Sequence, residues 1–520
     1  MALLGRVYDL TWKQALLLVF VAYVISAYYS RISKWYQIRK LGGHAPRVRT
    51  SFIFGLDFPI KTSQAHVQNR LLEFWDWMFE STGGAQKQSY TCEVHLLASM
   101  RVILTADPEN IKAILTTQFQ DYGKGEVFHR QWRDFLGDSI FTTDQKQWQD
   151  SRSLIRPMFV RERVSDLEII ELHVKKMLSH LGPGDGRMVE FDKLVSRFTL
   201  DASTHYLWGR SANSMDDERA SFAAAFDEVQ RVQAVAERLG PLQRFYPRRT
   251  FYKGLKEMDN FIEPIMNEVL ALTPEELQGK EAKSDTFLLA LARYTRDRRV
   301  IRDQLVALLL AGRDTTASTL SWLFLELARN PRVVQKLQTH IKETLGDDGR
   351  APTYQEIKTM KYLTNTINET LRLYPVVPFN VRASLKDTTL PRGGGADGTQ
   401  PIGVRKGTSV GYSTLLMQRR RDLYPPISES FPYDPLEWVP ERWETWVPKN
   451  WQFIPFNGGP RICIGMNFAM MEIAYTVIRI LQQYDQIVDY DNNSEMKSDI
   501  VIVPANGVKI GFVKSKEASR

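Results

Sequence analysis

The stretch from Phe456 to Gly465, FNGGPRICIG, constrains this chain more than any other, because it holds one cysteine in a loop shaped for close backbone approach at the mouth of a helix. Glycines at 458, 459 and 465 leave no side chain between backbone and neighbour, and Pro460 stiffens the turn. A flat, bulky ligand can therefore lie very near the sulfur of Cys463. From Met466 to Gln483, Phe468, Ala469, Ile473, Val477 and Leu481 recur at helical spacing. The helix they predict directs its partial positive end at the sulfur, which favours thiolate over thiol. The plainer role for a lone cysteine is that of a small buried hydrophobe.

Five positions are set at once here: Phe456, Gly459, Arg461, Cys463 and Gly465 match the pattern F-x-x-G-x-R-x-C-x-G. In this the chain resembles the cytochrome P450 family. The resemblance implies a haem b held at Phe456, Arg461 and Gly465, with Cys463 as the axial thiolate that pushes electron density toward O–O bond cleavage. Zinc is a poor rival by spacing, since only Cys92 and eight scattered histidines remain and none form finger-like pairs.

Other positions carry the same resemblance. Trp148 and Arg152 stand at i, i+4 in a helical segment opening near Gln147. Alone, the pair reads as a Trp packed over an Arg stem. A haem carries two carboxylates that need paired cations when buried. By resemblance Arg152, Arg382 and Arg461 supply them, with Trp148 alongside. His129, His173, His180 and His205 are ordinary surface or core histidines.

Val300 to Arg329, ended by Asn330-Pro331, is apolar nearly all round and so belongs in a large core or in lipid. Arg313 and Asp314 at its middle exclude a membrane span, each charge costing ~2.5–3.5 kcal/mol at a bilayer centre. Its run Ala311-Gly312-Arg313-Asp314-Thr315 is similar to the family's oxygen-binding motif. The resemblance makes Asp314 and Thr315 the acid and alcohol that deliver protons during oxygen reduction, beside a locally loosened helix turn with Gly312 permitting close approach. Read alone, the two residues would cap or satisfy nearby backbone. Glu369 and Arg372 on a helix ended by Tyr374-Pro375, with Arg442 later, resemble the family's buried structural triad, although Trp443 stands where Phe is usual.

Upstream, Leu10 to Tyr29 is nearly all apolar, about the ~20 residues a bilayer span requires. A signal peptide has a similar look, but the run is long, lacks a small-x-small cleavage site, and precedes a chain with only two cysteines. Arg31, Lys34, Arg39, Lys40, Arg47 and Arg49 outnumber Arg6 and Lys13, placing the body in the cytosol. The expected organisation is an anchor over 1–35, a basic hinge over 36–50 with Gly42-Gly43 and Pro46, and one catalytic unit over 51–520, on the endoplasmic reticulum. The net charge of +8 suits an anionic membrane or acidic protein partner, and no basic stripe with stacking aromatics points to nucleic acid.

Along the body, Tyr90–Leu97 and Arg101–Thr105 alternate as two strands, with Cys92 a strand residue. Residues 123–141 lose their period and read as loop. Residues 160–298 read as successive amphipathic helices broken at Gly182–Gly186, Gly240-Pro241 and Thr273-Pro274, with 234–246 part of a substrate roof by resemblance. Leu390–Thr399 is a Gly-rich hairpin turn, not a phosphate loop, because no helix follows it. Its wording, with Val410-Gly-Tyr-Ser413 and Arg420–Tyr424, resembles the fungal alkane- and fatty-acid-hydroxylating branch; Pro425–Pro432 departs as an insertion.

The reading is a mainly α-helical protein with small β-sheets, a cytochrome P450 fold behind one transmembrane helix. It implies a monooxygenase inserting one atom of O₂ into a hydrophobic small molecule, with NADPH electrons from a cytochrome reductase. Long-chain fatty acids or alkanes hydroxylated at the chain end are the expected substrates. Oxidative tailoring of a fungal polyketide or terpenoid is the alternative. A non-oxygenating haem-thiolate isomerase, or a haem sensor or carrier, are further alternatives that NADPH-dependent turnover separates.

Overall fold

Between Asp297 and Asn330 the chain builds the axis around which the rest packs. The Asp297 carboxylate accepts from the backbone N–H of Arg299 and Val300, capping the helix Arg298–Arg329. Asn330 ends it, and Pro331 opens the next helix. This central helix is buried on every side through most of its length and touches both Phe191–Trp208 and Met466–Gln483. The computed structural model describes residues 11–50, 57–83, 90–96, 100–159, 167–217, 221–279, 286–491 and 495–514.

Among the described residues the core divides into three large apolar clusters and a small one at Leu277, Leu289 and Ala292. One gathers around Trp322 stacked on Tyr374, with ring centroids 4.1 Å apart. A second joins Phe135, Phe226 and Phe251 to the N-terminal half of the central helix. The third lies under a five-stranded sheet of order β1-β2-β8-β5-β3. Its strands are β1 (Thr91–Leu96), β2 (Met100–Thr105), β3 (Tyr122–Gly123), β5 (Phe379–Ser384) and β8 (Ser409–Ser413), with β2 and β8 parallel and the other pairs antiparallel. Strands β6 (Thr388–Gly394) and β7 (Gln400–Val404) form the Gly-rich hairpin.

The N-terminal helix runs unbroken from Trp12 to Leu41, through the apolar stretch and into the basic one. It is long and apolar enough to cross a membrane, and its apolar window is not buried against the body. The turn comes at Gly42 and Gly43, whose φ of +146° and +116° suits glycine. The helix end then docks on β7: a Cβ at Gly403 would stand 2.4 Å from the carbonyl oxygen of Ile38. Residues 51–56, where the hinge was expected to meet the body, and Leu97 lie outside the described residues.

Two expectations fail. Residues 125–136 are a helix, not a loop. Phe128, Trp132, Phe135 and Leu136 share one face at helical spacing, and that stripe packs into the second cluster. The Gly182–Gly186 break leads not into another helix but into strand β4 (Asp185–Glu190), which pairs with the strand Lys509–Val513. Such pairing depends on a partner more than 300 residues away, which no local pattern reveals.

Candidate active site

The cysteine loop is held from both ends. The Cys463 amide donates to the Phe456 carbonyl at 3.0 Å, and Gly459 takes φ +64° with no room for a side chain, since a Cβ would lie 1.9 Å from the Leu115 oxygen. Phe456 packs on the apolar cluster beneath the helix Met466–Gln483. Gly465 precedes that helix, with the Phe159 ring 3.3 Å from where its Cβ would stand. Cys463 opens into a recess of about 430 Å³ lined by Trp148, Arg152, Arg156, Phe159, Gly459, Pro460 and Ile464.

The helix end does not by itself make a thiolate. Cys463 is exposed at the recess, where the Gly465 N–H and Arg152 pull its thiol toward the anion while the protein packed around it pushes the other way. A bound metal ion would reverse that balance.

The recess brings Trp148 and Arg152 together with the sulfur. Arg152 donates to the Ile462 carbonyl at 3.0 Å, and its guanidinium lies 5.8 Å from the Trp148 ring. Arg461 covers the same ring at 4.6 Å and donates to Asp144 Oδ1 at 2.6 Å and the Thr143 carbonyl at 3.0 Å. Its Nε is buried without a partner. Arg382, buried, bonds only its neighbour Val381's carbonyl at 2.9 Å among the contacts described. Burial first, then Arg382, holds Arg461 down to about 10.

A fourth cation was missed by sequence reading. Lys124 lies at the start of the helix taken for a loop, and burial together with Arg382 and Arg461 holds its ammonium well below the ordinary range. Four cations thus interact around Arg461, with Asp144 and Glu237 as the opposing carboxylates. Asp144 is already engaged by the amides of Lys124 and Gly125, each at 2.8 Å. The cluster is short of negative charge, and the two carboxylates of a haem fit that deficit.

Asp314 and Thr315 do not line this recess. The central helix shows no loosening there: it is continuous, and the Thr315 hydroxyl donates to the Ala311 carbonyl at 2.6 Å. Such back-bonding is the ordinary habit of a helical threonine. Gly312 faces Ser203, whose Oγ would stand 3.1 Å from an added Cβ, so its close approach is to a neighbouring helix. Asp314 sits beside Arg313 (3.6 Å) and has one carboxylate oxygen, Oδ2, buried without a partner. Burial raises its pKa, and Arg313 opposes that shift.

The link between the two motifs is Glu472, a residue that no local pattern marks. Glu472, fully buried on the helix after Cys463, bonds Thr316 on the central helix, and burial pushes its pKa up to about 8. Its Oε1 has no partner.

Below the site lies the triad of Glu369, Arg372 and Arg442, all fully buried. Arg372 donates through Nε at 2.7 Å and Nη2 at 2.9 Å, and Arg442 through Nε at 3.0 Å. Trp443, the departure from the family pattern, adds its indole N–H to Glu369 Oε2 at 3.0 Å, a bond that phenylalanine cannot make.

The chain is similar to known proteins over most of its length. Residues 77–512 match the family model described as cytochrome P450. The chain is 42% identical over 511 residues to cytochrome P450 monooxygenase pvhE of Talaromyces variabilis, covering 94% of this chain and 93% of that one. It is 38% identical over 455 residues to cytochrome P450 52A13 of Debaryomyces hansenii (84% and 85%). With cytochrome P450 52A1 of Candida tropicalis the identity is 40% over 413 residues (76% and 74%).

Proposed function

The chain belongs to the cytochrome P450 family and is a haem-thiolate monooxygenase, and from that premise we propose that it hydroxylates long-chain fatty acids or alkanes at or near the chain end. Its electrons come from NADPH through a cytochrome reductase. The observation that carries the site reading is Cys463, opening from a glycine-lined loop into a recess edged by Trp148 and Arg152.

Bound haem supplies the iron at which O₂ is reduced and one oxygen atom enters a C–H bond. Cys463 would be its sulfur ligand, giving up its thiol proton to serve. Arg152 and the Gly465 N–H stabilise the resulting negative charge. Lys124, Arg382 and Arg461 would hold the haem carboxylates with Arg152, with Trp148 beside them. Phe456 and Gly465 complete the cradle. Asp314 is the proton holder: burial favours its acid form, and Oδ2 is not committed to another protein group. Thr315 Oγ1 has its hydrogen committed to Ala311, so it acts through its lone pairs until that bond opens.

The substrate reading rests on the likeness of residues 385–425 to the alkane- and fatty-acid-hydroxylating branch. It gains from apolar burial at ~0.8 kcal/mol per CH₂, which favours long chains. We place residues 1–35 in the endoplasmic reticulum membrane, 36–50 as the link, and 51–520 in the cytosol. Oxidation of a polyketide or terpenoid is the second reading. It is favoured by the position of the Gly-rich hairpin, which packs on the N-terminal helix and does not line the recess.

A spectral binding screen of the purified enzyme, C12 to C18 fatty acids and alkanes against cyclic metabolites, separates the two, followed by turnover with its reductase. Linear chains should bind and be oxidised. Turnover of cyclic compounds alone would overturn the fatty-chain reading and leave the monooxygenase standing.

A further inference from the structure

Outside the haem site the fold assembles a trio of metal-ligating side chains from two separate stretches of chain. Strand β1 places Glu93 and His95 at i, i+2 on one face. Residues 46–48 then run along its outer edge: the Val48 amide donates to the Glu93 carbonyl at 3.0 Å, and the Glu93 amide to the Pro46 carbonyl at 2.9 Å. That pairing swings His44 over Glu93. His44 Nδ1 and His95 Nε2 approach the same carboxylate oxygen, Glu93 Oε1, at 2.9 and 2.7 Å. All three ligand atoms lie within 4.8 Å of one another.

We infer that His44, Glu93 and His95 bind one divalent transition-metal cation of the zinc type, clamping the segment after the N-terminal helix to the edge of the sheet. Two imidazoles and a carboxylate are the donor set such ions take, and water completes a tetrahedron. Metal–ligand bonds of ~2.0–2.2 Å at tetrahedral angles separate the donor atoms by about 3.4 Å. The trio therefore has to open by about half an ångström to admit the ion. The histidines permit this, since their side chains are 24% and 27% exposed, which also leaves an entry path.

The surroundings resemble those of a held ligand. Glu93, only 2% exposed, is fixed through its other oxygen: Arg101 Nε donates to Oε2 at 2.8 Å, and the Ala45 amide at 3.3 Å. Arg101 is itself pinned to the Gly403 carbonyl at 2.6 Å. Such outer bonds orient a metal-binding carboxylate and leave Oε1 turned to the histidines. The far nitrogen of His44, Nε2, is buried with no partner. Facing the ionised Glu93 carboxylate, Nδ1 carries the ring proton; a cation taken at Nδ1 displaces that proton to Nε2, which no other protein group engages.

The charge balance sets the selectivity. Arg101 already neutralises Glu93, so hard ions that depend on several anionic oxygens gain little here, whereas imidazole nitrogens suit zinc. The consequence is mechanical. Gly403, which anchors Arg101, also donates its amide to Gly43 at 2.9 Å, so a cation at His44 would brace the turn between the N-terminal helix and the body.

The test uses the full-length, haem-loaded protein without a polyhistidine tag, stripped with a mild chelator. Zinc chloride is titrated in competition with a chromophoric chelator, with calcium and magnesium chlorides as comparators, and bound zinc is counted against haem iron. One zinc per haem is expected, with no calcium or magnesium competition. His44→Ala and His95→Ala should each weaken binding by at least the roughly tenfold that loss of an outer-sphere partner costs. His205→Ala, which breaks the other close histidine pair (His173 Nε2 to His205 Nδ1, 3.1 Å), should leave it unchanged. Zinc should also slow tryptic cleavage after the exposed Arg47 and Arg49 in the wild type, and not in His44→Ala. An unaltered haem spectrum verifies folding of each variant, and His44→Ala, outside the sheet, serves if His95→Ala loses it. Absence of stoichiometric zinc, binding that survives the loss of His44, or binding abolished by His205→Ala would each overturn the site.

Discussion

Replacing Glu369 with glutamine should cost the enzyme its haem-side scaffold before it costs any chemistry. The carboxylate accepts from Arg372 twice, from Arg442, from the Val439 amide at 2.8 Å and from Trp443, with both arginines and Glu369 0% exposed. Glutamine keeps the shape but leaves two buried guanidinium groups without their counter-charge. Breaking a buried pair from one side costs ~3–5 kcal/mol, because the remaining charge stays out of water. Unfolding entropy of ~2.1 cal/mol/K per residue gives about 1 kcal/mol/K for a body of roughly 470 residues, so the melting midpoint should fall by about 3–5 °C. Trp443→Phe removes one hydrogen bond to a charged acceptor, ~1.5–3 kcal/mol, and should fall by correspondingly less. The assay is thermal loss of the haem absorbance beside near-ultraviolet circular dichroism, with haem per protein measured at purification. A Glu369→Gln midpoint within about 1 °C of wild type would refute the triad as a lock.

Three other outcomes follow. Glu472 has its folded pKa raised from 4.5 to about 8; the folded state therefore holds a proton that the unfolded chain releases, and the stability this confers is full below pH 4.5 and is lost as pH rises toward 8. Glu472→Gln should flatten that part of the stability profile, and parallel profiles for the two proteins would remove the buried acid from the account. Thr315→Ala should keep haem and substrate binding but divert reducing equivalents to hydrogen peroxide, measured as NADPH consumed per product; unchanged coupling would take Thr315 out of proton delivery. Removing residues 1–35 should leave haem binding intact, since every matched motif lies beyond them, and a folded truncation without haem would contradict the division into anchor and body.

Features set by contiguous residues were readable, and features set by distant partners were not. The helix after Cys463 runs from Met466 to Gln483, as its spacing predicts, and the Gly-rich turn is the hairpin its composition indicates. Residues 125–136 read as loop because their apolar stripe is only Phe128, Trp132, Phe135 and Leu136 among charged neighbours, too sparse to show a period. Lys124 was lost with them. Strand β4 and the His44–Glu93–His95 trio depend on pairings that a local pattern does not encode. At Cys463 the direction of the helix was legible, whereas Arg152, more than 300 residues away in sequence, is brought to the sulfur only by the fold. Thr315 shows the same limit: the motif marks the residue, while its bond to Ala311 belongs to the folded helix.

The account stands or falls on the sulfur of Cys463 as the iron ligand, and the absorption spectrum of the reduced, carbon monoxide-bound protein reports that bond directly. Wild type should show the red-shifted Soret band of thiolate ligation. Cys463→His, retaining haem through the cation cluster of Lys124, Arg152, Arg382 and Arg461, should show the shorter-wavelength band of nitrogen ligation. A Cys463→His protein that bound haem and kept the thiolate-type band would contradict it.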